Sequence, residues 1–190
     1  MTRTTLSTSD ERRTAAVDAA VAAFASGGYH GTTVADVAKR AGISPAYVFK
    51  LYSSKEAVFV AALDRCFDLV VAALEAGVES TVEQSPEGVL DAMGGAYAEL
   101  IADRDLLMLQ VHAQSATGVS EIRSALRRGY ERVTEFAGSR SGATAEQVQR
   151  FLAFGQLCHL VATLDVDESR GGWEQVVAAG IRHPVASDQA

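Results

Sequence analysis

The chain has 190 residues, a formal net charge of −7 at pH 7, and hydrophobic side chains at 48% of its positions. This length fits one domain of ordinary size, or a small domain attached to a larger one. The hydrophobic content is enough to bury a sizeable core, which excludes a largely disordered chain. Only three prolines are present, and the abundance of Ala, Leu, Val and Glu favours an all-α fold over a sandwich or barrel.

Several classes of protein and site are disfavoured. No segment approaches the roughly 18 to 20 consecutive apolar residues of a membrane helix, and the N-terminus lacks the apolar stretch of a secretory signal. We therefore expect a cytoplasmic protein with no membrane partner. Cys66 and Cys158 are far apart and have no motif spacing, so buried, reduced thiols are expected. No Cys/His spacing indicates a metal site, and no cofactor is implied.

The charge is distributed unevenly along the chain. Residues 1–55 contain seven Lys or Arg and four Asp or Glu, a net charge of +3, and they include every lysine of the protein: Lys39, Lys50 and Lys55. Residues 56–190 contain ten basic and twenty acidic residues, a net charge of −10. A basic segment attached to an acidic body indicates that only the N-terminal segment approaches a polyanion.

The first predicted helix begins at Thr8 or Ser9 and runs to about Ala25. The sequence SGGY follows it, and Gly27 and Gly28 can adopt the positive φ of a helix C-cap. The helix has one apolar face and acidic residues in its first turn, as expected for a surface helix.

Two short helices follow, separated by a glycine turn. One begins after Thr32 or Thr33 and ends at Gly42, and the next is capped by Ser44 with Pro45 at its first position. This arrangement predicts a helix-turn-helix. The side chains expected to point outward from its second helix are Pro45, Ala46, Tyr47, Phe49 and Lys50, whereas Val48 and Tyr52 should face inward.

Six longer helices and no strand are predicted beyond Ser53. Ser85 with Pro86 begins the second of them, and Thr144 with Gln147 is typical of a capping box. Their expected ranges are 55–81, 86–102, 103–117, 119–138, 144–165 and 172–182. The prediction is an all-α chain of about nine helices, with a helix-turn-helix domain at 1–54 and a larger helical domain at 55–190.

The stretch from Arg12 to Phe59 resembles the N-terminal DNA-binding domain of the TetR family of bacterial transcriptional regulators. It covers about a quarter of the chain without a gap. Two positions depart from the family pattern: Phe49 replaces the usual Tyr, and Leu51 replaces a residue that is often His, so we expect weaker phosphate anchoring there. The matching residues are Arg12, Ala19-Ala20, Phe24, Gly28-Tyr29, Thr32-Thr33-Val34, Val37-Ala38, Ala41-Gly42-Ile43-Ser44, Val48-Phe49, Tyr52 and Lys55-Glu56.

The resemblance implies that the helix-turn-helix reads double-stranded DNA through a major groove. The outward side chains at the start of its second helix are candidates for base contact, and Lys50 can reach a phosphate or a guanine edge. Residues at helix starts can hold phosphates. The complete predicted DNA-binding set is Thr33, Ser44, Pro45, Ala46, Tyr47, Phe49, Lys50 and Lys55. The alternative is an aromatic and basic surface with no nucleic-acid role.

The resemblance also implies a body that binds a small ligand and dimerises through its last two helices. Small and apolar residues form one stripe on helix 144–165, and their burial is expected either in a subunit interface, which we favour, or in the core of the monomer. The predicted interface residues are Phe151, Gly155, His159 and Ala162.

An apolar ligand pocket is predicted among the helices of the body. His112 is the most specific candidate because an imidazole among apolar neighbours could orient a ligand, although a histidine satisfied within the core is the alternative. The predicted lining residues are Met93, Tyr97, Met108, His112, Tyr130 and Phe154. Such a pocket suits a largely apolar effector.

We therefore expect a ligand-responsive regulator, a repressor that binds a palindromic operator as a homodimer and is released by a small molecule through a population shift. The alternative is a helical small-molecule-binding protein or enzyme with a vestigial DNA-binding segment. The sequence has no nucleophile–base pairing, metal motif or phosphate-binding loop, so no enzymatic activity is predicted.

Overall fold

The computed structural model describes residues 8–166 and 168–180. Over these residues the chain forms helices and no strand, which confirms the all-α fold class. In chain order the helices are α1 (Thr8–Gly31), α2 (Val34–Ala41), α3 (Pro45–Leu51), α4 (Lys55–Ser80), α5 (Pro86–Leu100), α6 (Arg104–Ser115), α7 (Ser120–Ser141), α8 (Ala145–Thr163), a 3₁₀ helix (Glu168–Arg170) and α9 (Trp173–Ala178).

Helix α1 extends beyond its predicted end at Ala25 and is interrupted at Gly28. Gly28 has φ 65° and ψ −179°, so it takes the positive φ expected of the glycine pair, whereas Gly27 stays helical. A Cβ on residue 28 would lie 3.1 Å from Nδ1 of His112. Both the backbone angle and this neighbour therefore favour glycine at the break.

The boundaries of α2 and α3 follow from short-range hydrogen bonds, as predicted. The side chain of Thr33 accepts a bond from the backbone N–H of Asp36, whose carboxylate accepts one from the backbone N–H of Thr33. This capping box starts α2. Gly42, with φ 66°, ends α2, and Ser44 caps α3 by accepting from the N–H of Tyr47 at 3.2 Å.

Large apolar side chains fix the angles among helices α1 to α4. Phe24 of α1 and Phe59 of α4 are fully buried, with ring centroids 4.8 Å apart in an edge-to-face arrangement. Val37 of α2 and Val48 of α3 are also fully buried. Burying a side chain of this size stabilises the fold by about 1.5 to 3 kcal/mol. Tyr52, expected inside, is half-buried and lies just after α3.

The later helices match their predicted ranges to within a few residues. Thr144 and Gln147 form the predicted capping box of α8, and Ser85 caps α5 with Pro86 at its first position. The predicted last helix, 172–182, is observed as Trp173–Ala178, and its final two residues lie outside the described residues. Over the described ranges, no helix is long and apolar enough to cross a membrane.

The chain divides into two compact units. The first comprises the residues up to Cys66 together with Met108–Arg127, and the second comprises Phe67–Leu107 together with the residues from Arg128 onward. The predicted boundary, between residues 54 and 55, falls between α3 and α4, whereas this division falls within α4. Helices α4, α6 and α7 therefore each contribute residues to both units.

Candidate functional site

The first candidate site is the outward face of α3, which we call the α3 face. Pro45, Ala46 and Lys50 are exposed, Phe49 is 52% exposed, and Tyr47 is half-buried. A helix whose outer side is this open, and whose inner side is anchored in the core, can enter a groove of matching width. The α3 face thus contains the residues predicted to meet DNA bases.

Two arginines of α1 lie beside aromatic rings of the helix-turn-helix. The Cζ atom of Arg12 is 5.9 Å from the centroid of the Tyr47 ring, and that of Arg13 is 5.4 Å from the centroid of the Tyr52 ring. Both distances fit cation–π contacts. Burial raises the pKa of Tyr52, and the nearby Arg13 partly opposes that shift. The predicted site included neither arginine, although the adjacent basic pair at the start of α1 was a visible signal.

A polar cluster joins the end of α1 to the start of α4. The Nζ atom of Lys55 lies 4.5 Å from the centroid of the Tyr29 ring, and the Tyr29 hydroxyl donates to Oε1 of Glu56 at 2.5 Å. Burial, followed by this hydrogen bond, raises the pKa of Tyr29 to about 12, and the same bond lowers the pKa of Glu56. The ammonium of Lys55 is thereby held beside the N-terminus of α4.

The two predicted phosphate contacts at helix starts differ in their surroundings. At Thr33, the hydroxyl donates to Oδ2 of Asp36 at 2.6 Å, and hydrogen bonds from Thr33 lower the pKa of Asp36. A phosphate approaching Thr33 would meet this carboxylate. Ser44 is exposed at the start of α3, where its hydroxyl oxygen caps the helix. The start of α3 is therefore the more favourable of the two places for an anion.

The predicted pocket residues are divided between the two units, and they differ in burial. Met93 is fully buried, Tyr97 is buried, and Tyr130 is half-buried with its hydroxyl accepting from Nε2 of Gln156 at 2.8 Å. Phe154, expected to line the pocket, is 48% exposed. Met108 and His112 belong to the first unit, and the other four belong to the second.

His112 lies next to the break in α1. Its imidazole is half-buried, its Nδ1 atom is the nearest neighbour of the Cβ position at Gly28, and its carbonyl accepts from the hydroxyl of Ser115 at 2.8 Å. This environment is a packing contact within the first unit, which is the alternative that the sequence left open for His112. A role in orienting a ligand stays a prediction.

The stripe predicted at a subunit interface lies beside α5 of the same chain. A Cβ on Gly155 would lie 3.8 Å from Cε1 of Tyr97, and one on Gly94 would lie 4.0 Å from Cε2 of Phe151. His159 is only 5% exposed and is hydrogen-bonded to Tyr97, whereas Phe151 and Gly155 are half-buried. A subunit interface through this stripe stays a prediction.

The fourth residue of the stripe, Ala162, is half-buried and also has its partner within the chain. Its carbonyl accepts a hydrogen bond from Nη1 of Arg104 at 3.3 Å, and the same guanidinium lies 3.7 Å from the carboxylate of Asp165. Arg104 is the first residue of α6, so this contact ties the start of that helix to the end of α8. The whole stripe therefore has intrachain partners.

Tyr97 and His159 form a buried polar pair between α5 and α8. The Tyr97 oxygen and Nε2 of His159 are 2.5 Å apart, and Nδ1 of His159 has no hydrogen-bond partner among the described residues. Burial lowers the pKa of His159 to about 4, so the imidazole is neutral near pH 7. Sequence reasoning named both residues but placed them in two different sites.

A second candidate surface is apolar and lies at the C-terminal end of the described chain. We call it the α8–α9 patch. Leu160 is 45% exposed and Leu164 is 57% exposed, although both are large aliphatic side chains. Leu157 and Val177 anchor this region by packing against a small buried cluster. The patch consists of Phe154, Leu160, Leu164, Trp173 and Val176.

The titratable groups of the described ranges do not gather into a metal site. No group of three or more His, Cys, Asp or Glu side chains is placed to hold a metal ion within those residues. Cys66 and Cys158 are both buried free thiols there. Burial raises the pKa of Cys158, which disfavours the reactive thiolate form.

Comparison with known proteins adds a sequence match and a fold match. Residues 16–62 match the family model described as bacterial regulatory proteins, tetR family. This range covers the last two thirds of α1, all of α2 and α3, and the start of α4, and so it contains the α3 face. No curated protein matches the chain.

Solved structures match over most of the chain. A TetR-family transcriptional regulator from Agrobacterium tumefaciens is 16% identical with a TM-score of 0.68, over 91% of this chain and 95% of that one. A transcriptional regulator from Rhodococcus sp. Rha1 is 20% identical with a TM-score of 0.66, over 87% and 91%. The regulator FadR from Bacillus subtilis, solved in complex with stearoyl-CoA, is 16% identical with a TM-score of 0.63, over 88% and 98%.

At these identities the structural matches establish the fold, and the sequence match establishes the kind of N-terminal domain. The matching family and structures are those of transcriptional regulators. The observed helix-turn-helix, with its capped α2 and α3, stands where the family model matches. Residues 16–62 thus match the tetR family of bacterial regulatory proteins, and the chain has the fold of transcriptional regulators of that family.

Proposed function

We propose that the chain is a ligand-responsive repressor that binds a palindromic operator as a homodimer and is released by a small molecule. The observation that carries this proposal is the α3 face: a helix anchored by the buried Val48, with Phe49 and Lys50 exposed and Tyr47 half-buried, inside a tetR-type N-terminal domain. In this proposal residues 1–54 bind DNA, and residues 55–190 bind the ligand and form the dimer.

On DNA, α3 would lie in the major groove with its N-terminus toward the bases. Tyr47, near that N-terminus, would contact base edges, and Lys50 would contact a phosphate or a guanine. The Lys55 side chain would move from the Tyr29 ring to contact a DNA phosphate, or stay beside the ring and attract DNA through its charge alone. The acidic body, with a net charge of −10 over residues 56–190, would be repelled by DNA.

A homodimer would supply the two DNA-reading domains that a palindrome requires. The α8–α9 patch supports this assignment because five large apolar side chains of α8, α9 and the segment between them are exposed. Monomeric proteins rarely leave such a group in contact with water. We therefore propose that the interface includes the α8–α9 patch as well as the stripe predicted on α8.

The effector would bind in the second unit and shift the spacing of the two DNA-reading domains. Three helices, α4, α6 and α7, contribute residues to both units, so a change in the second unit can reach the first along the chain. Stearoyl-CoA, the ligand in the Bacillus subtilis FadR structure, is largely apolar, which supports an apolar effector here.

The test is a binding titration with the DNA that flanks the gene and with random DNA. Tyr47→Ala should weaken operator binding by about 1 to 3 kcal/mol and leave binding to random DNA unchanged. Lys50→Ala and Lys55→Ala should each weaken binding to both DNAs, and each should reduce the slope of log affinity against log salt by about one per subunit.

Arg150→Ala is a matched control for charge. Arg150 is an exposed cation on α8 whose partner is Glu146, one helical turn away. Removing it should leave both the operator affinity and the salt slope at parental values. If the Tyr47, Lys50 and Lys55 variants also bind both DNAs as the parent does, the α3 face is not the DNA-binding surface.

A further inference from the structure

In the buried pair Tyr97–His159, one ring nitrogen of His159 has no hydrogen-bond partner among the described residues. A neutral imidazole has one N–H donor and one acceptor nitrogen, and buried polar atoms are normally paired. Nε2 is paired with the Tyr97 oxygen, whereas Nδ1 has no partner among the residues the structure describes. His159 is only 5% exposed, so bulk water does not reach it freely.

The chemistry of the two groups indicates the donor. A phenol hydroxyl is more acidic than the N–H of a neutral imidazole and is therefore the stronger hydrogen-bond donor. The Tyr97 hydroxyl is accordingly assigned as the donor to Nε2 of His159, which lies 2.5 Å away. The ring proton is then on Nδ1, so the unpaired atom is an N–H donor. A donor in this position requires an acceptor.

Two glycines lie on the helices beside the pair. Gly94 lies in α5 and Gly155 in α8, and a Cβ on either would meet its nearest neighbour only at 4.0 or 3.8 Å, an ordinary contact distance. Close packing therefore does not require glycine at these positions. By contrast, a Cβ on Gly77 would lie 2.7 Å from the carbonyl oxygen of Ala92.

We infer that Nδ1 of His159 is the polar anchor for the effector, and that the effector is an apolar molecule with a carbonyl or carboxylate oxygen. This inference rests on the proposed ligand-binding function of the second unit and names the chemistry of its ligand. The oxygen accepts from Nδ1, Tyr97 holds the ring in the required tautomer, and the apolar remainder lies against the α5 and α8 side chains. An amine of the same size would place its N–H donors against the Nδ1–H donor of His159, so it would bind weakly.

The experiment uses the full-length protein with three eight-carbon probes: 2-octanone, octanoate and octylamine. Binding is measured by calorimetry, and ¹⁵N NMR of the histidine rings reports whether each probe reaches His159. We expect 2-octanone and octanoate to move the His159 ring resonances and to bind at least tenfold more tightly than octylamine, since an unpaired buried donor is costly. The difference between 2-octanone and octanoate shows whether a neutral or charged oxygen is preferred.

Two variants test the anchor and its orientation. His159→Phe keeps a ring of similar volume and should lower the affinity for 2-octanone at least tenfold, while octylamine binding changes less than twofold. Tyr97→Phe removes only the hydroxyl, so either ring nitrogen of His159 can carry the proton. The preference for oxygen probes over octylamine should then fall to less than threefold. His30→Phe, at an exposed histidine of the first unit, should match the parent.

The inference is overturned if octylamine binds as well as 2-octanone, if His159→Phe retains the parental affinity, or if no probe binds up to its solubility limit. Operator binding by the parent is measured in the same preparation. Operator binding without probe selectivity rejects the anchor alone. Probe selectivity without operator binding rejects the proposed repressor function and leaves the anchor supported.

Discussion

Helix α2 and the C-terminal half of α8 distribute their polar and apolar residues in opposite ways. In α2, Val34 and Val37 are buried, whereas Asp36, Lys39 and Arg40 are exposed. This is the usual pattern of a helix that packs one face on a core and presents the other to water. Every polar group of the α2 exterior can be solvated, so α2 is complete within its own unit.

The C-terminal half of α8 has the opposite pattern. The polar His159 is buried with one ring nitrogen unpaired among the described residues, and Leu160 and Leu164 are exposed. Each side of α8 therefore carries a free-energy cost that water or a further partner must offset. On the buried side a hydrogen-bond donor has no acceptor, and on the exposed side apolar surface is in contact with water. The comparison indicates that α2 contributes to the fold, whereas α8 carries two features suited to binding partners, namely the unpaired ring nitrogen of His159 and the exposed leucines.

The largest expected effect comes from charging the outer face of α8. Leu160→Glu combined with Leu164→Glu would bring carboxylates into the proposed apolar interface, so we expect the dimer dissociation constant to rise at least a hundredfold, about 3 kcal/mol. Analytical ultracentrifugation over a concentration series measures it. Val82→Glu, at an almost fully exposed valine between α4 and α5, should leave the constant unchanged. An unaltered constant in the double variant would remove the α8–α9 patch from the dimer.

The inner face of α8 should make stability depend on pH. The pKa of His159 is about 4 in the folded protein, below the ordinary value of about 6.5, because burial disfavours the charged ring. As the pH falls from about 6.5 to 4, the unfolded chain takes up this proton first, so the free energy of unfolding decreases, by at most about 3 kcal/mol. Above pH 6.5 the contribution is constant.

Urea unfolding of the parent and of His159→Phe at pH 7 and pH 4.5 measures this dependence. Carboxylates also titrate in this range, and they do so equally in both proteins, so the difference between the two isolates His159. The variant should lose less stability on acidification. Equal losses would show that the ring is protonated in the folded state, contrary to the description of α8 as holding a neutral buried donor.

A smaller effect is expected at the start of α2. Thr33→Ala removes the capping box and should lower the free energy of unfolding by about 1 kcal/mol. Thr33→Ser keeps the hydroxyl and serves as the control, with a loss of only a few tenths of a kcal/mol. Thermal unfolding monitored by circular dichroism gives both values. An unchanged free energy of unfolding in Thr33→Ala would mean that α2 is stabilised by its packing alone.

The smallest effect is a gain in stability at Gly155. Alanine is a better helix former than glycine, and the Cβ position at Gly155 has no neighbour closer than 3.8 Å, so Gly155→Ala should stabilise the protein by about 0.5 to 1 kcal/mol. Gly77→Ala should instead destabilise it, because its Cβ would collide with the backbone of Ala92. Loss of stability in Gly155→Ala would show that α5 and α8 pack more tightly than these contacts indicate.

The features that the sequence predicted well depend on neighbours a few residues away. The caps at Thr33, Ser44 and Thr144 each use a partner three residues further along the chain, so the pattern of residue types contains the whole interaction. The break at Gly28 was also visible, since positive φ values favour glycine. Fold class and the helix-turn-helix followed from such local signals.

The roles of the α8 residues depended on a partner that local patterns do not identify. His159 lies 62 residues from Tyr97, and helical spacing shows that residues share a face without showing what covers that face. The pattern therefore indicated that His159 shares a face with Phe151 and Gly155, but not that Tyr97 is its partner. The 48% exposure of Phe154 likewise depends on how α8 packs, which helical spacing does not show.

The break at Gly28 has a consequence for the modularity of this protein. Gly28 and the imidazole beside it, His112, come from two stretches of sequence that are 84 positions apart yet belong to one compact unit. A chimera that transplants residues 1–54 onto another regulator would carry the glycine and leave its neighbour behind. A transplant designed around the compact unit would include Met108–Arg127 as well, so that Gly28 keeps His112 as its neighbour.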